Sequence, residues 1–187
     1  YDRAAEDLDK SVAAQPKDKM AQQRLGMALY GLQNYPLAAE HLRKSAALDS
    51  KDYTTQLYLA KAVINLAQRE PDARKKEELY GEAVRSARAA SGIKSDFESQ
   101  NVLAKAYLGS KNFNDAARAF QKVVATKPKY CPGQVNLGQS YIGLQAWPQA
   151  ASELKKASEC DPQNTVTLNL LAFAYTKSEM REEALGA

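Results

Sequence analysis

"VLAKAYLGSKNFNDAARAFQKVVATKP", residues 102–128, carries two helical stripes in one short span. Leu103, Ala104 and Tyr107 fall on one face at helical spacing, and Ala116 with Phe120 forms a matching stripe further along. Pro128 then stands where a residue that cannot continue a helix is useful. The stretch therefore reads as two amphipathic helices that pack stripe to stripe, followed by a stop.

Aligning the chain with itself shows that this unit recurs. A small residue preceded by leucine appears at Gly26, Ala60, Ala104, Gly138 and Ala172, in three steps of 34 residues and one of 44. An alanine series follows 12 residues later at Ala4, Ala38, Ala116, Ala150 and Ala184, with Leu8, Leu42, Phe120 and Leu154 four positions on. The closing positions are Pro16, Ser50, Pro128 and Pro162. The units are a half repeat at 1–18, then 19–52, an expanded 53–96, 97–130, 131–164 and a truncated 165–187.

These residues resemble the tetratricopeptide repeat family, whose 34-residue unit is a helix-turn-helix with a Leu-small pair, a Tyr four residues after the Leu, a second-helix Ala-x-x-x-Phe and a closing Pro. Leu29 and Val63 depart from the tyrosine seen at Tyr107, Tyr141 and Tyr175, and Met20, Gln56, Gln100 and Gln134 are read as standing where the family often has Trp. The resemblance implies an all-α fold, a right-handed superhelical α-solenoid of antiparallel helix pairs, in one array over 1–187. One hairpin cannot bury both of its apolar faces, so each unit leans on the next and first helices line a concave surface. The chain opens in a second helix and stops in another, which reads as a piece of a longer array.

Composition narrows the function classes. Hydrophobic residues at 44% and charged residues at 26% are those of an ordinary globular chain, and a net charge of +4 is spread without basic runs, so nucleic acid is not the expected partner. No stretch is long and apolar enough for direct membrane insertion, and the compartment is left open. His41 is the only histidine; no phosphate-binding Gly-rich loop, Ser-centred nucleophile or Cys-His spacing occurs, so neither catalysis, a cofactor nor a metal site is expected.

The expected job is to hold a protein or peptide. First-helix residues not used for packing inside a repeat are Gln23, Met27, Tyr30, Tyr58, Lys61, Asn65, Asn101, Lys105, Asn136, Gln139, Asn169 and Phe173. Amides can pair with an extended backbone, lysines with carboxylates, and aromatics offer apolar pockets. Polar residues on a helix also merely solvate it, so the set weighs more than its members. Some family members hold a chaperone's C-terminal carboxylate with a Lys, Asn, Asn, Lys, Arg arrangement, which these positions do not reproduce.

Three further features stand out. The stretch 66–79, "LAQREPDARKKEEL", lengthens the third unit, with Pro71 suited to a first helical turn; its charges (Arg69, Arg74, Lys75, Lys76, Glu77, Glu78) suit a solvated face better than an oligomerisation element. Self-association through the array ends or this projection, giving a homo-oligomer, is the alternative function. Cys131 and Cys160 sit at the start of one helix and the end of its antiparallel neighbour, so a disulfide is open to them in an oxidising compartment; the favoured reading has Cys160 filling a small core position and Cys131 incidental. Trp147, equivalent to Tyr35 and Phe113, is assigned to packing.

Overall fold

The structure, a computed structural model, describes the backbone of residues 2–186 and the side chains of residues 5–179. The side chains of Ala4 and Ala184, the first and last of the alanine series, lie outside the described residues. Among the described residues the chain is all-α, with helices and no strand. It divides into two compact units, Tyr1–Ser110 and Lys111–Ala187. The first holds α1 (Asp2–Ala14), α2 (Lys19–Gly31), α3 (Tyr35–Leu48), α4 (Tyr53–Arg69), α5 (Ala73–Ile93) and α6 (Phe97–Gly109). The second holds α7 (Phe113–Thr126), α8 (Cys131–Gly143), α9 (Trp147–Cys160) and α10 (Thr165–Gly186).

Short polar side chains set where the helices begin. Asp18 accepts from the backbone N–H of Met20 at 2.8 Å, Asp52 from Thr55 at 2.7 Å and Asp72 from Lys75 at 2.7 Å. Asp96 closes a reciprocal pair: it accepts from Ser99 N–H at 2.9 Å while the Ser99 hydroxyl accepts from Asp96 N–H at 3.1 Å. Asn34 and Asn112 cap α3 and α7. A cap of this kind contributes about 1 kcal/mol. Tyr130 and Ala146, at the same places before α8 and α9, provide no side-chain cap.

A second device recurs that the sequence reading misplaced. Gln22 donates from Nε2 to the Pro16 carbonyl at 2.8 Å, Gln56 to Ser50 at 3.1 Å and Gln134 to Pro128 at 3.0 Å, each reaching six residues back to the closing position of the previous unit. Gln22, not Met20, is the register partner of Gln56, and Met20 is exposed. Where the family places Trp, this chain uses an amide that satisfies an otherwise orphaned carbonyl between units.

Packing within each hairpin explains the small residues. A Cβ on Gly26 would come 2.6 Å from Leu42 Cγ, and one on Gly138 would come 2.5 Å from Leu154 Cγ; both leucines are fully buried. In the expanded hairpin the facing helix α5 buries Tyr80 with Ala83, Ser86, Ala87 and Ala90, so a fully buried alanine, Ala60, is accommodated on α4. The turns between hairpin helices place Gln33 (φ 59°), Lys111 (φ 59°) and Gln145 (φ 57°) in the left-handed region. The nearby glycines serve space instead: a Cβ on Gly109 would overlap the Tyr80 ring, and one on Gly143 the Phe113 ring.

The ten-residue excess of the third unit lengthens both of its helices, to 17 residues in α4 and 21 in α5, against 13 and 14 in α2 and α3. Pro71 precedes the Asp72 cap and does not enter the first turn as expected, because Asp72 takes the capping role. Arg74 and Glu78 pair at 3.3 Å on a largely exposed face, and Arg69 lies over the Tyr35 ring at 4.7 Å, so Arg69 belongs to the hairpin junction rather than to a free projection.

Candidate functional site

Which helices touch decides which face curves inward. In the first unit α2 touches α4 and α4 touches α6, whereas α1, α3 and α5 make no such contact with one another. In the second unit α8 touches α10, and α7 does not touch α9 in this way. Within each unit the first helices of the repeats are therefore crowded on the inner side and the second helices spread on the outer. On the outer side of the first unit α3 and α5 are joined only through side chains, with Arg43 donating a two-pronged fork to Glu82 at 2.7 and 2.9 Å.

The inner face of the first unit carries an aromatic and cationic cluster. The Tyr30 ring lies 5.6 Å from Tyr35 and 5.6 Å, edge-on, from Tyr58. Lys61 Nζ stands 4.8 Å over the Tyr58 ring and ion-pairs with Glu98 of α6. Asn65 donates to the Lys61 carbonyl at 2.8 Å. Burial pushes the Tyr30 hydroxyl above its ordinary pKa, against the pull of Lys61. Met27, Tyr30, Tyr58, Lys61, Asn65 and Asn101 are half-buried, and Lys105 is exposed.

Gln23 is corrected. It is buried at 6% exposure, and its amide nitrogen donates to Asp52 Oδ1 at 2.5 Å and to Thr55 Oγ1 at 2.7 Å. Its amide ties α2 to the start of α4 instead of presenting to a ligand. Beside this link, Lys19 pairs with Asp49 at 2.9 Å, closing the far end of the α2–α3 hairpin. Further along, the Tyr53 hydroxyl donates to Asp96 at 2.9 Å, and Lys94 pairs with the same carboxylate at 3.0 Å. Burial pushes the Asp96 carboxyl up, but the Ser99 N–H, Lys94, Tyr53 and the Ser99 hydroxyl together hold it well below the usual range. Burial, followed by the hydrogen bond to Asp96, raises Tyr53.

In the second unit Asn136 and Gln139 are half-buried on α8, while Asn169 and Phe173 are exposed on α10. Trp147 meets the Phe173 ring edge-on at 5.8 Å, which fits its assignment to packing, and Lys177 lies over Phe173 at 5.7 Å. Cys131 and Cys160 are brought together, their Cα atoms 5.8 Å apart and their sulfurs in bonding contact. Cys160 is exposed at the last position of α9, which corrects its reading as a core residue. Sequence reasoning missed Tyr35 and Arg69 as neighbours of the inner-face cluster; the aromatic at the start of a second helix was the available signal.

Among the described residues no group of histidine, cysteine or carboxylate side chains is placed to hold a metal, and no helix is long and apolar enough to cross a membrane. No curated protein matches the chain. Solved structures do. TTC0263, a thermophilic TPR protein of Thermus thermophilus, is 17% identical with 94% of this chain and 91% of that chain covered, at a TM-score of 0.62. A MamA protein is 17% identical, covering 92% and 88%, at 0.72. MamA residues 41-end from Desulfovibrio magneticus RS-1 are 18% identical, covering 90% of each chain, at 0.73. Likeness at this identity shows the fold. The tetratricopeptide repeat profile matches residues 1–53 and 101–165, and the intervening stretch coincides with the lengthened third hairpin. With matching residues over more than half its length, and helices paired as the repeat requires, the chain belongs to the tetratricopeptide repeat family.

Proposed function

We propose that the chain is a non-catalytic scaffold whose inner face binds a protein or peptide segment. The observation that carries this is the cluster of Tyr30, Tyr58 and Lys61 with exposed Lys105, presented by three first helices of which α4 touches both α2 and α6. Half-buried tyrosines supply apolar contact with little side-chain entropy to lose. Exposed Lys105 adds attraction for carboxylates, beside a Lys61 already paired with Glu98. Asn136 and Gln139 on α8, with Asn169 and Phe173 on α10, form the corresponding face of the second unit.

Selection of random dodecapeptides on the immobilised chain tests this reading. Binders should lose at least roughly tenfold in affinity for the variant Tyr58→Ala with Lys105→Ala, the loss of a small hot spot. They should bind Arg43→Ala, altered on the outer face, as well as the parent. Peptides indifferent to the inner-face change would remove the assignment.

Self-association is the second reading, favoured by α10. Val166, Leu168, Phe173 and Tyr175 are exposed there, whereas Leu29, Val63 and Tyr107, at the register position of Tyr175, are buried. Leu168 and Tyr175, seven residues apart and so on one face of α10, suit contact with another helix. Sedimentation over a wide concentration range should then show mass growth that Leu168→Glu with Tyr175→Glu abolishes; a constant monomer mass would end this reading.

A further inference from the structure

We propose that Cys131 and Cys160 are an oxidative modification site whose disulfide holds the α8–α9 hairpin closed, so that folding of this one repeat is set by the thiol redox state around it. The two residues lie 29 apart in sequence, at the first position of α8 and the last of α9, where the antiparallel helices bring their Cα atoms to 5.8 Å. That separation is within the span a disulfide requires. Cys160 is exposed and Cys131 half-buried, so a carrier can reach them, and both sulfurs sit beside the Lys129 carbonyl oxygen, at 3.7 and 3.8 Å.

An independent observation explains why this hairpin has a covalent closure. The corresponding place in the α2–α3 hairpin is held by the Lys19–Asp49 ion pair, Lys19 being three repeat steps before Cys131. Both of that hairpin's helices are capped by side chains, by Asp18 and Asn34. Neither α8 nor α9 has a side-chain cap. Gly133, Gly138 and Gly143 all fall in α8, more glycine than any other helix of the chain carries, and glycine disfavours a helix interior. The hairpin with the weakest local support is the one that carries the cysteine pair.

The reaction is thiol–disulfide exchange with an oxidised dithiol carrier. The thiolate of one cysteine attacks the carrier's S–S bond and displaces one carrier thiolate; the second cysteine attacks the mixed disulfide, forming the Cys131–Cys160 bond. The carrier departs as the dithiol with both electrons, and the two thiol protons pass to it or to solvent. A chain that keeps this bond works where such carriers outcompete reducing thiols.

The test equilibrates the intact chain with oxidised or reduced dithiothreitol, counts thiols by alkylation and mass spectrometry, and follows amide hydrogen exchange. Oxidation should remove both alkylation sites and slow exchange across 131–160 by roughly four hundredfold, the size expected for closing a loop of this length. Residues 19–110 should not change. Cys131→Ser with Cys160→Ser should exchange like the reduced chain whatever the couple. Adding Ala146→Asn should recover part of the protection, since Ala146 has the backbone (φ −88°, ψ 68°) that Asn34 and Asn112 have when they cap. Equal exchange in the two redox states, or two alkylatable thiols after oxidation, would overturn the proposal.

Discussion

Gln23 and Gly138 show how single residues divide between binding and building. Gln23 shares its register position with buried Leu57 and exposed Asn169; here the next unit offers Asp52 and Thr55 as acceptors, and the amide is drawn inward to both. Gln23→Ala should therefore lower stability by about 1–2 kcal/mol, because Thr55 and Asp52 each lose a donor, while peptide affinity stays unchanged; urea unfolding beside a binding titration checks both. Gly138 has the opposite character. Alanine would normally help a helix by about 1 kcal/mol, but here its methyl would enter Leu154. Gly138→Ala should destabilise the second unit by about 1–2 kcal/mol net, read as a lower urea midpoint, with Leu154→Ala in the same chain relieving part of the clash.

At the scale of elements, helix starts and hairpin ends follow from short polar residues, and the Asp96 cluster responds to pH at both ends of the scale. The folded Asp96 carboxyl titrates below the ordinary value, so its contribution is present above about pH 4 and is lost as pH falls through the folded value. Tyr53 titrates above the ordinary phenol, so its contribution is complete below about pH 10 and is lost as pH rises through the folded value. The stability difference between the parent and Tyr53→Phe should be flat between those limits and shrink outside them, which chemical unfolding at a series of pH values measures. Most of this level was legible in advance. The Leu-small pairs and the alanine series mark the two helices of each hairpin, since packing demands them at fixed spacing. The glutamine links were not, because an amide four residues before the small position reads as surface polarity until its carbonyl six residues back is seen. The cysteine pairing was open for a related reason: spacing placed both at one end of a hairpin, but only side-chain direction shows that they meet.

For the whole molecule, repetition with one lengthened member sets the character of the protein. A 34-residue unit repeats hairpins, and the longer α4 and α5 change one hairpin without disturbing the first-helix contacts of α2, α4 and α6. Of the residues drawn from register, Tyr30, Tyr58 and Lys61 are brought together on α2 and α4, Lys105 is exposed on α6, Gln23 is lost to packing, and Arg69 and Tyr35 join the neighbourhood through ring contacts. The inner side is the proposed binding surface. Mapping a selected dodecapeptide by chemical-shift changes in the isotopically labelled chain tests it most directly. Changes concentrated at Met27, Tyr30, Tyr58, Lys61 and Lys105 are predicted; changes centred on Arg43 and Glu82 of α3 and α5, with the inner residues unmoved, would contradict it.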